Sequence, residues 1–335
     1  MTRLSGIRGS RRRRPVRIAL AVSAALAVAA VASAFHQPLR ELDPNARQAS
    51  SEVAGSEIIG IRTFEAPTDL RIDADLEYAV AADGTILTLD VCRPAASALA
   101  GTSAAVVSVH GGSWARGDKA NADWRNVCLW LASEGFVAAS VNYRLVPDAV
   151  YPAQIDDVAA AVAWLREPEQ LDRFDLDPAR IGVFGGSAGG HLAALLGTLG
   201  EGPLDVGSRV AAVAELSGPV GLGRPELEAD AASDWLRGIV GDFLACEPGV
   251  DDEACPQAIE ASATAHVDPT DPPFFIGHAE SEIIPLAQSQ RLADTLGASA
   301  VAVELAVVPG EAHSIGILDE GLRERVAAFL HAHLG

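Results

Sequence analysis

Positive charge is scarce in this chain: 25 Lys and Arg stand against 45 Asp and Glu, a net charge of −20. Seven of the cations (Arg3, Arg8, Arg11, Arg12, Arg13, Arg14 and Arg17) fall in residues 1–34, which hold no acid, so the remainder carries −27. A body that acidic repels phosphate backbones and anionic lipid surfaces, which argues against nucleic acid as a partner and favours an uncharged small substrate. Metal-ligand spacing is missing as well: there is no C-x-x-C and no paired histidine spacing of the zinc type, so no metal is expected. No Gly-rich run ends in G-K-[ST], and none has an acid about 20 residues on to hold a ribose, which removes the phosphate-loop and dinucleotide readings. No internal repeat is visible. What the chain does have is apolar content, 49% over 335 residues, enough for a sizeable core in one large domain or two small ones.

Residues 1–17 are basic, and residues 18–35 run IALAVSAALAVAAVASAF, closing on the small-x-small step Ala32-Ser33-Ala34. This is the layout of a secretory signal cut after Ala34. A membrane anchor is the other reading, since the run approaches the ~18 residues at which spanning becomes possible. A tether to the outer face of the membrane would follow only if the segment stays uncleaved. Either way the body is expected outside the cytosol, secreted, where Cys92, Cys128, Cys246 and Cys255 can form two disulfides. Cys246 and Cys255 bracket the turn-rich EPGVDDEA and are expected to pair, a closure worth roughly 2–3 kcal/mol in the chain-entropy account. Cys92 with Cys128 follows by elimination, and four buried free thiols are the alternative.

Residues 35–75 are polar and lack sustained periodicity, and read as a linker or N-terminal arm. From Leu76 short apolar runs alternate with helical stretches. Strands are predicted at 76–82, 85–92, 104–110, 136–143, 180–186, 210–218, 272–279 and 300–308, with helices near 121–134, 154–166, 188–199, 285–296 and 318–333. That alternation predicts an α/β fold: a mostly parallel eight-stranded sheet with helices on both faces, over residues 76–335. The first two runs, joined by Asp83-Gly84, read as an antiparallel hairpin at one edge. Residues 219–270 break the rhythm, being acidic and Gly/Pro-rich with Trp235 and Phe243, and read as a lid insertion or pocket wall over the active face.

After RIGVF comes Gly185-Gly186-Ser187-Ala188-Gly189-Gly190-His191 and then a helical run, the strand–turn–helix setting of the G-x-S-x-G nucleophile elbow. The turn presents the Ser187 hydroxyl at the carboxyl end of the sheet, and it needs glycine two residues to either side because side chains there would collide with strand and helix. The third strand ends in His110-Gly111-Gly112-Ser113-Trp114, where backbone N–H groups of Gly111 and Gly112, with that of Ala188, can stabilise a tetrahedral oxyanion. Trp114 reads either as a wall of the substrate pocket or as ordinary packing, and His110 as a brace for the loop. The base is expected at His313, on a loop at the carboxyl end of the last strand; His331 and His333 lie on the terminal helix. Its acid partner is Glu280 or Glu282, both following PPFFIGHA on the loop that should face His313, whereas Asp268 and Asp271 precede the strand.

With these segments placed, residues 76–335 resemble the α/β-hydrolase superfamily, specifically its hormone-sensitive-lipase-like and feruloyl-esterase-like carboxylesterases. The resemblance rests on His110 to Trp114, on Asn142-Tyr143-Arg144-Leu145 followed by Tyr151-Pro152-Ala153-Gln154 and Asp156-Asp157, and on Gly185 to His191. In that group the acid stands in H-G-x-x-D-x-x-V-P. Here the run is His278-Ala279-Glu280-Ser281-Glu282-Ile283-Ile284-Pro285, one residue short, so counting from His278 puts Glu282 at the acid position and counting back from Pro285 puts Ser281 there. Geometry fixed from the strand end favours Glu282. The resemblance also implies that Asp156, Asp157 and His191 are structural. The expected function is cleavage of small-molecule carboxylic esters through an acyl-enzyme, with no cofactor, since nucleophile, base and oxyanion donors all come from the chain. Alternatives are an amidase such as an arylformamidase on the same triad, and a non-catalytic binding module on the same fold.

Overall fold

The computed structural model describes residues 59–95, 102–246 and 254–335. The expected signal and most of the expected arm lie outside these residues.

Eight strands form one sheet in the order β1-β2-β4-β3-β5-β6-β7-β8. They are β1 (Leu70–Val80), β2 (Ile86–Pro94), β3 (Ser103–Val109), β4 (Val137–Val141), β5 (Leu176–Gly186), β6 (Val213–Leu216), β7 (Phe274–Ala279) and β8 (Val303–Val308). β1 pairs antiparallel with β2 and β2 with β4; every other pairing is parallel. Helices α1 (Ala122–Ser133), α2 (Ala153–Leu165), α3 (Pro168–Phe174) and α4 (Ala188–Thr198) alternate with the strands, and α8 (Leu286–Ala298) and α9 (Glu320–Leu334) close the fold. The core divides by face. One cluster sets Val158 of α2, Leu192 of α4 and Leu292 of α8 against the sheet, and the other sets Val127 of α1 and Val326 of α9 against its opposite side. Covering both faces explains why β3 and β4 are buried almost throughout rather than alternating.

The expected arm needs correction at its inner end. β1 begins at Leu70, not Leu76, and a 3₁₀ turn, Gly60–Thr63, buries Ile61 against the opposite turn Ser314–Ile317. Glu57–Gly335 forms one compact unit. The strand start was hidden because β1 is an edge: its first residues carry charges such as Asp73, which accepts from Arg93 Nε at 2.9 Å across the pair, and a bulge interrupts its register before Leu76. Helix α3 was missed for a different reason, since seven residues opened by Pro168 are too short to show a period.

The described residues of the 219–270 stretch include three helices: α5 (Arg224–Ala229), α6 (Asp234–Leu244) and α7 (Gln257–Glu260). α6 is capped by Ser233, whose Oγ accepts from the Leu236 N–H at 3.1 Å, and it buries Leu236, Val240, Phe243 and Leu244. It packs as part of the domain. One disulfide ties Cys92 on β2 to Cys128 on α1, and the other joins Cys246 to Cys255.

Candidate active site

Ser187 occupies the step between β5 and α4, with φ 58° and ψ −125°. The turn is enforced from outside. A Cβ on Gly185 would stand 2.1 Å from the Gly189 carbonyl, and one on Gly189 would stand 2.0 Å from that of Val109. Neither position has room for any side chain. The Ser187 N–H donates to Leu216 O at 2.8 Å, fixing the elbow to β6.

From the edge of the sheet, His313 arrives after β8, and its Nε2 lies 2.8 Å from Ser187 Oγ. Its Nδ1 is hydrogen-bonded to Glu282 Oε2. With the Nδ1 proton held by a carboxylate, Nε2 is left to accept from the serine hydroxyl. Of the two candidate acids only Glu282 reaches the imidazole; Glu280 is exposed and uses its backbone N–H on Val308 O at 2.9 Å. Counted from His278, Glu282 stands at the acid position of the resembled pattern, so the missing residue falls between Glu282 and Pro285.

Glu282 sits with no exposed side-chain surface. Burial pushes its carboxyl up, but the adjacent His278 and His313 outweigh that and hold it below the ordinary range, so it is ionised. His278, also fully buried, places Nε2 2.9 Å from Glu282 Oε1 and 3.0 Å from Ile284 O, while its Nδ1 lies 2.7 Å from Ser289 Oγ. Burial alone would depress His278, yet the adjacent carboxylate raises it. Near this pair stands a second buried acid, Glu215 on β6. Burial pushes it up to about 8, and its Oε2 accepts from the Gly218 N–H at 2.8 Å. It is therefore protonated at neutral pH. In the sequence His278 serves only as the residue from which the acid is counted, and Glu215 does not stand out; their one further signal is a titratable residue inside an otherwise apolar strand run.

The loop after β3 folds over the elbow. A Cβ on Gly111 would meet Gly186 O at 2.7 Å and Ser187 Cβ at 3.0 Å, so the loop backbone lies directly against Ser187. Among the described residues, no backbone carbonyl takes the N–H of Gly111, Gly112 or Ala188. His110 braces the loop from behind: it is buried, stacks on Tyr143 at 4.4 Å, and its Nδ1–H donates to Gly111 O at 2.9 Å. Burial lowers its pKa, which keeps the ring neutral.

A cleft of about 210 Å³ opens over Ser187, lined by Gly111, Gly112, Ser113, Arg116, Trp124, Trp235, Ile283, His313 and Ser314. Trp114 is not among its walls, and the pocket-wall reading of that residue is corrected here. It is completely buried, stacks on Phe243 at 4.4 Å, and donates its indole N–H to His191 Nδ1 at 3.2 Å. His191 passes its own Nε2–H to Ala261 O at 2.7 Å and is depressed to about 4 by burial, a packing role. The aromatic walls are instead Trp124 from α1 and Trp235 from α6. Asp157 is buried too, gripping Arg144. Among the described residues no group of three or more His, Cys, Asp or Glu is placed to hold a metal.

The family model described as BD-FAE matches residues 89–296. Among curated proteins, the chain is 32% identical over 226 residues to "Esterase LipC" of Mycobacterium tuberculosis, covering 64% of this chain and 53% of that one. It is 26% identical over 266 residues to "Probable carboxylic ester hydrolase LipM" of the same organism, covering 77% and 59%. A shorter stretch of 93 residues is 45% identical to "Neutral cholesterol ester hydrolase 1" of Rattus norvegicus, 28% of this chain and 23% of that one. The chain thus spans less than two thirds of the length of these relatives. Among solved structures, a truncated carbohydrate esterase from gut microbiota superposes with a TM-score of 0.66 at 23% identity, over 81% of this chain and 99% of that one. Esterase B of Lactobacillus rhamnosis gives 0.64 at 25% identity, over 80% and 86%. These likenesses are to α/β-hydrolase esterases, and the fold described above is theirs.

Proposed function

The chain belongs to the BD-FAE family, and from that footing we propose that it is an exported serine esterase, cleaving carboxylic esters of small molecules through an acyl-enzyme. The observation that carries this reading is the 2.8 Å contact between Ser187 Oγ and His313 Nε2, with an ionised, buried carboxylate on the far nitrogen of the same ring.

The chemistry follows from that line of groups. Ser187 attacks the ester carbonyl while His313 Nε2 takes the hydroxyl proton, and Glu282 stabilises the imidazolium that results. The amides of Gly111, Gly112 and Ala188 receive the negative charge that develops on the carbonyl oxygen, a contribution worth about 10²–10³ in turnover per donor in enzymes of this type. His313 then gives its proton to the departing alcohol. Water, activated by the same imidazole, hydrolyses the acyl-serine and restores the hydroxyl. The 219–270 segment supplies the wall that selects the substrate through Trp235. Esterase activity is supported by the names of the relatives, and export by the signal-like residues 1–34 together with the two disulfides.

The test is a graded panel of acyl esters and anilides on the purified protein, with fluorophosphonate labelling of wild type and Ser187→Ala. Hydrolysis of esters, and labelling that disappears in the variant, is expected. Preference for the anilides would move the reading to an amidase, and activity on none of them would favour a binding module.

A further inference from the structure

The cleft over Ser187 has a charge opposite to that of the protein. Its lining contains one permanent cation, Arg116, and no aspartate or glutamate, in a chain with 45 acids and 25 Lys and Arg. Arg116 is exposed, and among the described residues its guanidinium has no partner. Among the described arginines only Arg71, on the edge strand, and Arg116 make no ion pair, side-chain hydrogen bond or ring contact. The carboxylate of Asp123, in the adjoining cleft, is already held by both Nε and Nη2 of Arg62 at 2.9 and 2.8 Å. An arginine left unpaired in so acidic a protein is a poor surface accident, because nearby carboxylates would normally claim it.

Its position is fixed by the oxyanion loop. The Arg116 N–H donates to Gly112 O at 3.1 Å, and a Cβ on Gly112 would meet Arg116 Cγ at 3.1 Å. The base of the stem therefore lies against Gly112, and Arg116 lines the same cleft as Ser187. Trp124, Trp235 and Ile283 give that cleft apolar walls, where a charge pair is less screened than in open water.

We propose that Arg116 receives a carboxylate borne by the substrate a few bonds from the scissile ester, so that the site prefers carboxylate-bearing esters to neutral ones of the same shape. The inference rests on the esterase reading above and narrows its substrate class. The guanidinium binds the carboxylate through paired N–H···O bonds and takes no part in bond making or breaking.

The experiment compares kcat/KM on matched pairs. On the acyl side, mono-para-nitrophenyl adipate is set against para-nitrophenyl hexanoate; on the alcohol side, the acetate of para-hydroxybenzoate is set against that of para-cresol. Each is assayed with wild type, Arg116→Gln, Arg116→Lys and Arg116→Glu, with spontaneous hydrolysis subtracted. The charged-to-neutral ratio is expected to fall roughly tenfold in Arg116→Gln, as for a partly exposed charge-assisted pair, further in Arg116→Glu, and least in Arg116→Lys. Added salt should erode the wild-type preference. A change confined to one pair places the carboxylate on that side of the ester. Ratios that stay constant across the variants, or equal losses on both members of a pair, overturn the proposal while leaving the esterase reading standing. Failure to hydrolyse any of the four overturns both.

Discussion

On one side of His313 the serine is placed by backbone alone. Gly185 and Gly189 leave no room for a side chain, Ser187 takes a left-handed φ of 58°, and Gly111 presses on its Cβ. On the other side the carboxylate is placed by side chains. Glu282 leans on His278, His278 on Ser289, and the protonated Glu215 shares the same buried space. The first arrangement admits one residue type at fixed spacings; the second can be met by many combinations. Steric necessity leaves a mark in a sequence, and mutual support among buried polar groups leaves almost none.

The largest contrast is expected at the nucleophile itself. Ser187→Ala should lose on the order of 10⁵–10⁶ in turnover while melting at the wild-type temperature, because it removes the reacting atom and nothing else. Across the imidazole, Glu282→Gln should cost about 10³–10⁴ in kcat, as an amide there no longer favours the tautomer that leaves Nε2 free. Glu280→Gln should change little, and a larger loss at Glu280 than at Glu282 would break the asymmetry between the two flanks. Further back, His278→Ala is expected to cost roughly tenfold to a hundredfold, the scale of a misplaced catalytic group. That loss should fall in kcat with KM little moved, and His278→Gln should recover part of it. A KM effect alone would mean that His278 does not position Glu282.

The smallest effect is one of stability. Glu215 binds its proton up to about pH 8 when folded but releases it near its ordinary value of 4.5 when unfolded. Between those values the folded state holds the extra proton, so its contribution is complete below the unfolded value and drains away as pH rises. Over the upper part of that window, from about pH 6.5 to 8, the wild type should lose on the order of 1–2 kcal/mol that Glu215→Gln does not lose. Thermal melts of the two proteins across that range read the difference directly. Parallel slopes would mean that Glu215 ionises as freely folded as unfolded.

How much was legible follows the same division. The sheet, the elbow, the glycine loop and His313 carry forced spacings or strong periods, and each stands where the pattern put it in the chain. Glu282 was separable from Glu280 only by counting from a strand end. The start of β1 escaped because an edge strand does not need an apolar face. Trp114 was ambiguous because a tryptophan beside an oxyanion loop can turn outward or inward, and Phe243, 129 positions away, decides that it turns inward. Composition speaks for the whole surface and not for the cleft: a strongly acidic total favours an uncharged substrate, whereas the lining over Ser187 includes one cation, Arg116, and no aspartate or glutamate.

The aromatic contacts of α6 gather at one of its ends. Phe243 is keyed between Trp114, 4.4 Å away, and Tyr151, 5.6 Å away, with His191 against its edge. Displacing that end of α6 would draw Phe243 out of the stack it shares with Trp114, which follows directly on the glycine loop. At the opposite end of α6, Trp235 has no such anchor among these rings, is 46% exposed and lines the cleft over Ser187.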